Sequence, residues 1–441
     1  MVKALQMNIL LIGNGFDLEH NLPTSYKDFL EFCERARIIY AFHENASVDE
    51  FIQTNLRDWK MDDSIKKKLS VAFEKRKCNK IYKEDDCFDL KIITQNEALD
   101  EMYTHIKENV WLEYFLNCAS YLGENWIDFE TEISRVIQAL DSARFQIESG
   151  GSVTGTEERE QKILVSLQKV AKGSLRDMYG NIAAIDNCVD YLNKELERLI
   201  RALEIYIAEF VGKIIVTKKS TDIEMLNPDH ILSFNYSDTY ERVYGEGEQI
   251  KYDYIHGKAD ITKNVLTSNL VLGIDEYLDD DVKDKELEFL TFKKFYQRIY
   301  KSTGNAYLAW VDEIKDGYAD YLRKERYSYA TVAESFKDGN FDINPFQKSV
   351  CADLAASECP QHTLYIFGHS LDVTDKDILK LFICNDNVQT KIFYYRKNKN
   401  DKKVLGKLIK NLILIMGQDE LVRRTGGAHK TIEFIPQTVL E

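Results

Sequence analysis

The chain has 441 residues, of which 44% are hydrophobic, and a formal net charge of −15 at pH 7. A chain of this length can bury a large core and form two or three domains, whereas its acidic balance argues against broad binding to nucleic acids or anionic membranes. No segment reaches the roughly 20 apolar residues that span a bilayer, and eight cysteines without a C-x-x-C pair fit reduced thiols. We therefore expect a cytoplasmic protein.

The first predicted element is a strand at residues 9–12, which runs into a glycine-rich turn at residues 13–17 (Gly-Asn-Gly-Phe-Asp). Four consecutive apolar residues are typical of a parallel strand that is buried on both faces. Gly13 and Gly15 allow the backbone to approach a ligand closely, as the phosphates of a nucleotide require. The G-x-G-x-x-G fingerprint is incomplete, because Leu18 replaces the third glycine and no helix is predicted directly after the turn.

Long amphipathic patterns with apolar residues at three- and four-residue spacing follow the turn. They predict that residues 25–227 form a helical insertion. The patterns cover residues 98–122, 126–145, 158–178 and 182–214, with a loop at 149–155.

The second half of the chain returns to alternating strands and helices. Helical patterns at 375–382 and 403–416 lie between strand-like segments, which indicates βαβ units and a parallel sheet. A further helical block at 284–336 forms a second insertion. We thus predict an α/β fold with a mainly parallel, Rossmann-like sheet, built from residues 1–24 and 228–441 as a nucleotide-binding domain. Its later strands are predicted at residues 230–234, 252–255, 265–273, 364–367, 392–395 and 431–435.

Polar motifs follow four of the predicted strands. Open α/β sheets bind ligands at the carboxyl ends of their strands, so we expect the four motifs to meet in one site. The motifs are GNGFD with LPTS (residues 13–17 and 22–25), SFNYSD (233–238), YIHG (254–257) and FGHSLD (367–372).

The order of these motifs resembles that of sirtuin-like NAD-consuming domains, which carry G-A-G-x-S with G-[IL]-P, then T-x-N-x-D, H-G and G-x-S-L. The chain is similar, more specifically, to the AbiH family of bacterial abortive-infection proteins, which open with I-G-N-G-F-D-L-x-H-x-L-P-T-S-Y and share F-N-Y, I-H-G and F-G-H-S-L-D. That resemblance spans both ends of the chain and includes residues 125–130. It implies an antiphage protein with a sirtuin-like core that uses NAD as its substrate and needs no metal. The partners that it suggests are a phage-derived trigger and further copies of the chain in a homo-oligomer.

The resemblance also implies roles for individual residues. Asn235 would position the nicotinamide ribose and stabilise positive charge as the glycosidic bond breaks, because its carbonyl dipole can face that charge. His256 would be the general base, since an imidazole titrates near cytosolic pH. The residues that would contact the nucleotide are Gly13, Asn14, Gly15, Phe16, Asp17, Pro23, Asp238, Gly257, Gly368, Ser370 and Leu371.

Two of the four motifs, GNGFD with LPTS and SFNYSD, differ from the corresponding motifs of sirtuins. Ser237 stands where the related domains carry Asp, with Asp238 one residue late, and Thr24-Ser25 follow Pro23 where acyl-lysine-removing sirtuins carry D-F-R. The zinc-binding cysteines of those enzymes are also missing. These departures disfavour protein deacylation and leave NAD hydrolysis as the main prediction.

Other interpretations remain open. The site could bind a nucleotide as a non-catalytic sensor, with His256 a structural histidine and Asn235 an ordinary turn residue. A serine hydrolase would use Ser370, with Asp419 and His429 after it, although Asp372 replaces the second glycine of G-x-S-x-G. A metal-dependent nuclease is disfavoured by the acidic charge.

Two groups of acidic residues receive structural interpretations. Asp372, Asp375 and Asp377 could form a metal cluster, but Thr374 with Asp377 is better explained as a helix cap. The acids at positions 128, 130 and 132 do not share a helix face and are interpreted as the solvated start of a helix.

Overall fold

The computed structural model describes residues 6–41, 46–78, 94–122, 128–150, 157–170, 182–245, 249–276, 287–337, 359–398, 401–427 and 430–438. Within these ranges, six parallel strands form one sheet with the order β3-β2-β1-β4-β5-β6. This is the strand order of dinucleotide-binding Rossmann-like sheets, and the predicted α/β fold class is confirmed. The strands are β1 (Asn8–Ile12), β2 (His230–Ser233), β3 (Lys251–Tyr254), β4 (His362–Phe367), β5 (Val388–Tyr394) and β6 (Ile432–Pro436).

The first strand is buried on both faces, as its unbroken apolar run predicts. Leu10 and Ile12 pack into the hydrophobic core on one face of the sheet, whereas Ile9 and Leu11 pack into the core on the other. The register aligns Ile12 with Ser233 on β2 and with Phe367 on β4. The loops that follow these strands therefore leave the sheet at the same level.

One predicted strand, at residues 265–273, is wrong. The Asn264 side chain accepts hydrogen bonds from the backbone N–H groups of Leu266 and Thr267, and its carbonyl accepts from those of Thr267 and Ser268. Local turns therefore satisfy backbone groups that a strand would offer to a neighbour.

Every element described between residues 25 and 227 is helical. The predicted helix over 98–122 is divided in two, because Glu108 takes a positive φ of 56° and the Asn109 side chain accepts from the N–H of Leu112 at the start of the second helix. The helices are α2 (Tyr26–Tyr40), α3 (Val48–Phe51), α4 (Asp63–Cys78), α5 (Glu97–Ile106), α6 (Val110–Leu122), α7 (Phe129–Glu148), α8 (Glu158–Val170), α9 (Ile182–Ile205, continued as a π-helix over Tyr206–Phe210) and α10 (Thr221–Glu224).

The remaining helices flank the sheet. A short helix, α1 (Asn14–Glu19), begins directly after Gly13, so the expectation that no helix follows the turn is wrong. None of the helices in the described ranges is long and apolar enough to cross a membrane. The later helices are α11 (Thr239–Tyr244), α12 (Lys294–Tyr300), α13 (Tyr307–Lys337), α14 (Lys376–Ile383), α15 (Lys403–Met416) and α16 (Gln418–Thr425).

The helices of residues 25–227 bury a hydrophobic core of their own, which also includes Leu272 and Phe292 from the second half of the chain. Within this core, the Phe129 ring lies between two nearly parallel rings, those of Tyr26 and Phe115, each with a centroid distance of 4.1 Å. The Asp128 side chain caps α7 by accepting from the N–H groups of Glu130 and Thr131, so the helix begins at Phe129, within this stack.

Candidate functional site

The loops after β1, β2, β3 and β4 meet at the carboxyl edge of the sheet. The side-chain amide of Asn235 donates to the carbonyl oxygen of Gly13 at 3.0 Å, which joins the first two loops. The Phe234 ring contacts the rings of His256 and His369, with centroid distances of 5.6 and 4.4 Å. The structure thus brings all four motifs together.

The glycines of the first and fourth motifs allow their two loops to pack tightly. The N–H of Gly15 donates to the carbonyl of Gly368 at 2.8 Å. A Cβ added to Gly13 would lie 2.7 Å from the Cα of His369, and one added to Gly368 would lie 2.1 Å from the backbone nitrogen of Phe16. These close approaches explain the glycines without a ligand, and the predicted contact of Gly13 and Gly15 with phosphate stays a prediction.

The side chains of Phe16 and Asp17 point into the protein. Phe16 is fully buried, and Asp17 accepts a hydrogen bond from the Ser237 hydroxyl at 2.6 Å. Burial raises the pKa of Asp17 to about 6. Ser237 is therefore the partner of a buried carboxyl group, while Asp238 forms an ion pair with Arg242 at 2.7 Å on α11.

The segment at residues 22–25 ties the first loop to the helical region. The Thr24 hydroxyl donates to the side-chain carbonyl of Asn14 at 2.6 Å, and the carbonyl of Pro23 accepts from the Tyr206 hydroxyl at 2.8 Å. Gly257 closes the turn that contains His256, and its N–H donates to the carbonyl of Tyr254 at 3.0 Å.

A buried charge cluster lies beside these loops and consists of His256, His369, Asp375, Lys294 and Glu130. The Asp375 carboxylate lies 3.3 Å from His369 Nε2, 3.7 Å from His256 Nε2 and 3.7 Å from Lys294 Nζ. Lys294 Nζ lies 2.6 Å from Glu130 Oε2. Asp375 is thus the residue on which both histidines and the lysine converge.

Hydrogen bonds indicate the protonation of the two histidines. His369 Nδ1 accepts from the backbone N–H of Leu371 at 2.9 Å, so its proton lies on Nε2, toward Asp375. His256 also turns Nε2 toward Asp375, whereas its Nδ1 is buried and has no hydrogen-bond partner among the residues that the structure describes. The free nitrogen of His256 is therefore Nδ1.

The pKa values within the cluster favour an ionised Asp375 and a neutral His256. Burial lowers the pKa of His256 to about 3, and the Lys294 ammonium adds to that effect. Burial by itself raises the pKa of Asp375, but Lys294 and the two histidines outweigh it and hold the pKa well below its usual range. His256 is thus uncharged at neutral pH, and its basicity is well below that of a free imidazole.

Lys294 and Glu130 shift each other's pKa in opposite directions. Burial raises the pKa of Glu130 to about 7 although Lys294 opposes the rise. Burial would lower the pKa of Lys294, but Glu130 and Asp375 outweigh it and raise that pKa. Neither residue follows a predicted strand, and no pattern in the sequence predicts that the two meet.

The structure corrects two interpretations of acidic residues. Asp372 caps the turn at residues 373–375 by accepting from the N–H of Thr374 at 3.2 Å, so the cap predicted from Thr374 and Asp377 is wrong. The Asp375 side chain lies instead beside the two histidines. Glu130 and Glu132 are not solvated either, since Glu130 binds Lys294 and Glu132 is buried against Arg135. Across the described ranges, no group of three His, Cys, Asp or Glu side chains forms a metal site.

Ser370 is exposed at the end of the fourth motif, and its carbonyl accepts from Asn411 at 2.9 Å. The positive φ angles lie on either side of it, at Gly368 (69°) and Leu371 (54°), whereas a nucleophile elbow places the strain on the serine. Asp419 lies on α16. His429 and the Asn125-Trp126 pair lie outside the described residues.

The comparison with protein families agrees with the motifs. The family model described as "Bacteriophage abortive infection AbiH" matches residues 9–395, a range that includes the four motifs and every member of the buried charge cluster. No curated protein and no solved structure matches the chain at a significant level. The chain belongs to the AbiH family of bacteriophage abortive infection proteins.

Proposed function

We propose that the protein acts in the cytoplasm during abortive infection and hydrolyses NAD at the nicotinamide–ribose bond. The strand order supports a dinucleotide ligand, because sheets of this order bind one in the crevice where the strand order reverses. That reversal lies between β1 and β4, next to the motifs. A sirtuin-like relation of the core is part of this proposal.

The observation that carries the proposal is the environment of His256. Its Nε2 lies 3.7 Å from the Asp375 carboxylate, and its Nδ1 has no hydrogen-bond partner among the described residues. A histidine beside a carboxylate is an arrangement that general bases adopt. In the proposed step, the C1′–N bond breaks with its electron pair passing to the pyridinium ring, and a water oxygen bonds to C1′. The proton of that water passes to Nδ1 of His256.

Asn235 fits the stabilisation of positive charge on the ribose. Its amide nitrogen is committed to the carbonyl of Gly13, so its carbonyl oxygen points away from that contact. A fixed carbonyl dipole stabilises an oxocarbenium-like charge without having to reorganise. The products are nicotinamide and ADP-ribose.

The test compares NAD in infected cells and in reactions of the purified full chain. We expect His256→Asn to lower hydrolysis by about 100-fold or more, the usual contribution of a general base. His362→Asn is the matched control, because His362 is equally buried but lies at the opposite end of β4. If wild-type cells arrest growth while their NAD stays constant, the proposed reaction is wrong.

A second function, nucleotide sensing without cleavage, is favoured by one observation. Burial and the Lys294 ammonium lower the pKa of His256 to about 3, which makes it a weak base at neutral pH. A sensor would bind NAD in calorimetry with similar affinity in the wild type and in His256→Asn, and neither protein would produce nicotinamide.

A further inference from the structure

The buried charge cluster joins three regions that are distant in the chain. Glu130 lies at the start of α7 in the first helical insertion, Lys294 begins α12 in the second, and Asp375 follows β4 of the sheet. The lysine side chain is 5% exposed, and its ammonium lies within 4 Å of both carboxylates. Both predicted insertions therefore contribute a residue beside the histidines.

We propose that Lys294 is a positioning residue of this site: its ammonium keeps Asp375 ionised and His256 uncharged, and Glu130 holds that ammonium in place. The proposal rests on the proposed function, since it names what sets the charge of the proposed base. It also assigns the helical insertions a part in completing the site.

The charges around His256 support this assignment. Among the described residues, the charged groups with the largest effect on it are Lys294 and Arg298 from α12, Asp375 from the turn before α14, and the His369 ring from the loop after β4. Its other neighbours are the rings of Phe234 and Tyr236. The two cations disfavour an imidazolium and Asp375 favours one.

Removing Lys294 reverses this balance. Asp375 would lose the cation that offsets its charge, and the nearest group able to replace it is the imidazole of His256 or His369. A proton on His256 would pair with Asp375, so the imidazole would become charged at a higher pH than in the wild type and the proposed base would be lost over a wider acidic range. Glu130 would be left as a buried carboxyl group without its ammonium partner.

The experiment follows the histidine titration of the full chain by NMR with ¹³Cε1-labelled histidine, with signals assigned from His256→Asn and His369→Asn. We expect His256 to stay uncharged down to about pH 5 in the wild type and to titrate at least about one pH unit higher in Lys294→Met. The acid limb of the rate of NAD hydrolysis should move by the same amount.

The matched control is Lys301→Met. Lys301 is 6% exposed, directly follows α12 and pairs with Glu197 of α9 at 2.9 Å, so it also joins an insertion helix to this region. Its substitution should leave the histidine titration unchanged. If Lys294→Met fails to fold, Glu130→Gln with Lys294→Met removes both opposite charges and keeps the size of each side chain.

The outcomes separate this proposal from the proposed function. A folded Lys294 variant whose His256 titrates as in the wild type overturns the positioning role, whatever happens to NAD. The role is also overturned if the double variant restores both the titration and the pH profile, because Lys294 would then only neutralise Glu130. A shifted titration in a chain that never cleaves NAD supports the role and refutes the proposed function.

Discussion

Replacing Gly368 by alanine would place a methyl group between the loops that follow β1 and β4. Gly368 has a φ of 69°, a conformation that alanine adopts at a cost of about 1–2 kcal/mol. The added Cβ would lie 2.1 Å from the nitrogen of Phe16 and 2.5 Å from the carbonyl carbon of Gly15. Both are backbone atoms, so no flexible side chain can move aside.

The loss of stability expected for Gly368→Ala can be worked out from these contacts and compared with that of a control variant. Overpacking a close contact costs about 1–3 kcal/mol, and loss of the Gly15–Gly368 hydrogen bond about 1 kcal/mol more. We therefore expect Gly368→Ala to lower the free energy of unfolding by about 3–6 kcal/mol. Gly150→Ala is the control, because Gly150 has a φ of 77° and no described residue lies within 4 Å of an added Cβ. It should cost only the conformational part, about 1–2 kcal/mol.

The assay is urea unfolding of both variants and the wild type, with the free energy of unfolding taken from the midpoint and slope. A second measurement is the hydrogen exchange of the Gly15 amide, which should lose protection in Gly368→Ala alone. If both variants lose the same stability, the two loops do not pack as described. The explanation of Gly13 and Gly15 as residues of loop packing would then be wrong.

Two further predictions concern buried charges. Because the folded chain raises the pKa of Asp17 from 3.8 to about 6, it binds this proton more tightly than the unfolded chain, and stability should fall as the pH rises through that interval. Asp17→Asn should remove this slope and stabilise the protein above pH 6 by up to about 3 kcal/mol in urea unfolding, and an unchanged slope would contradict the assignment. Arg201 is buried with Glu204, which is itself fully buried, and Arg201→Met should cost about 3–5 kcal/mol by leaving that carboxylate without its cation. Arg57→Met, at an exposed ion pair, should leave the unfolding midpoint unchanged; equal effects of the two substitutions in the same assay would refute this reasoning.

The local sequence predicted most of the sheet because its signals are contained within a few residues. The apolar run at 9–12 can only be buried on both faces, and the polar motifs after it end the strand. Residues 265–273 show the limit of this reasoning. Their apolar residues suggest a strand, but the turn at Asn264 satisfies the N–H groups of residues 266–268. The N–H groups of Val271 and Leu272 bond instead to the carbonyl of His256 and the side chain of Gln297.

The candidate site was predicted in part. The sequence placed Asn235 and His256 at strand ends, and the parallel register brings the motifs that contain them together. It also included His369 within the fourth motif without assigning it a role. Asp375 was interpreted as part of a cap region and Glu130 as solvated, because a residue's local pattern does not show which distant group it faces.

The sequence by itself determined the α/β class, the positions of the parallel strands and the Gly-Asn-Gly turn that ends β1, since each depends on short-range periodicity and on backbone conformation. The tertiary structure alone decided what that turn contacts and which charges surround His256. Gly13 and Gly15 meet a loop more than 350 residues away, and Lys294 joins carboxylates from two other parts of the chain. Such contacts arise from the packing of whole elements, because the free energy of a buried charge depends on every group that the fold places around it.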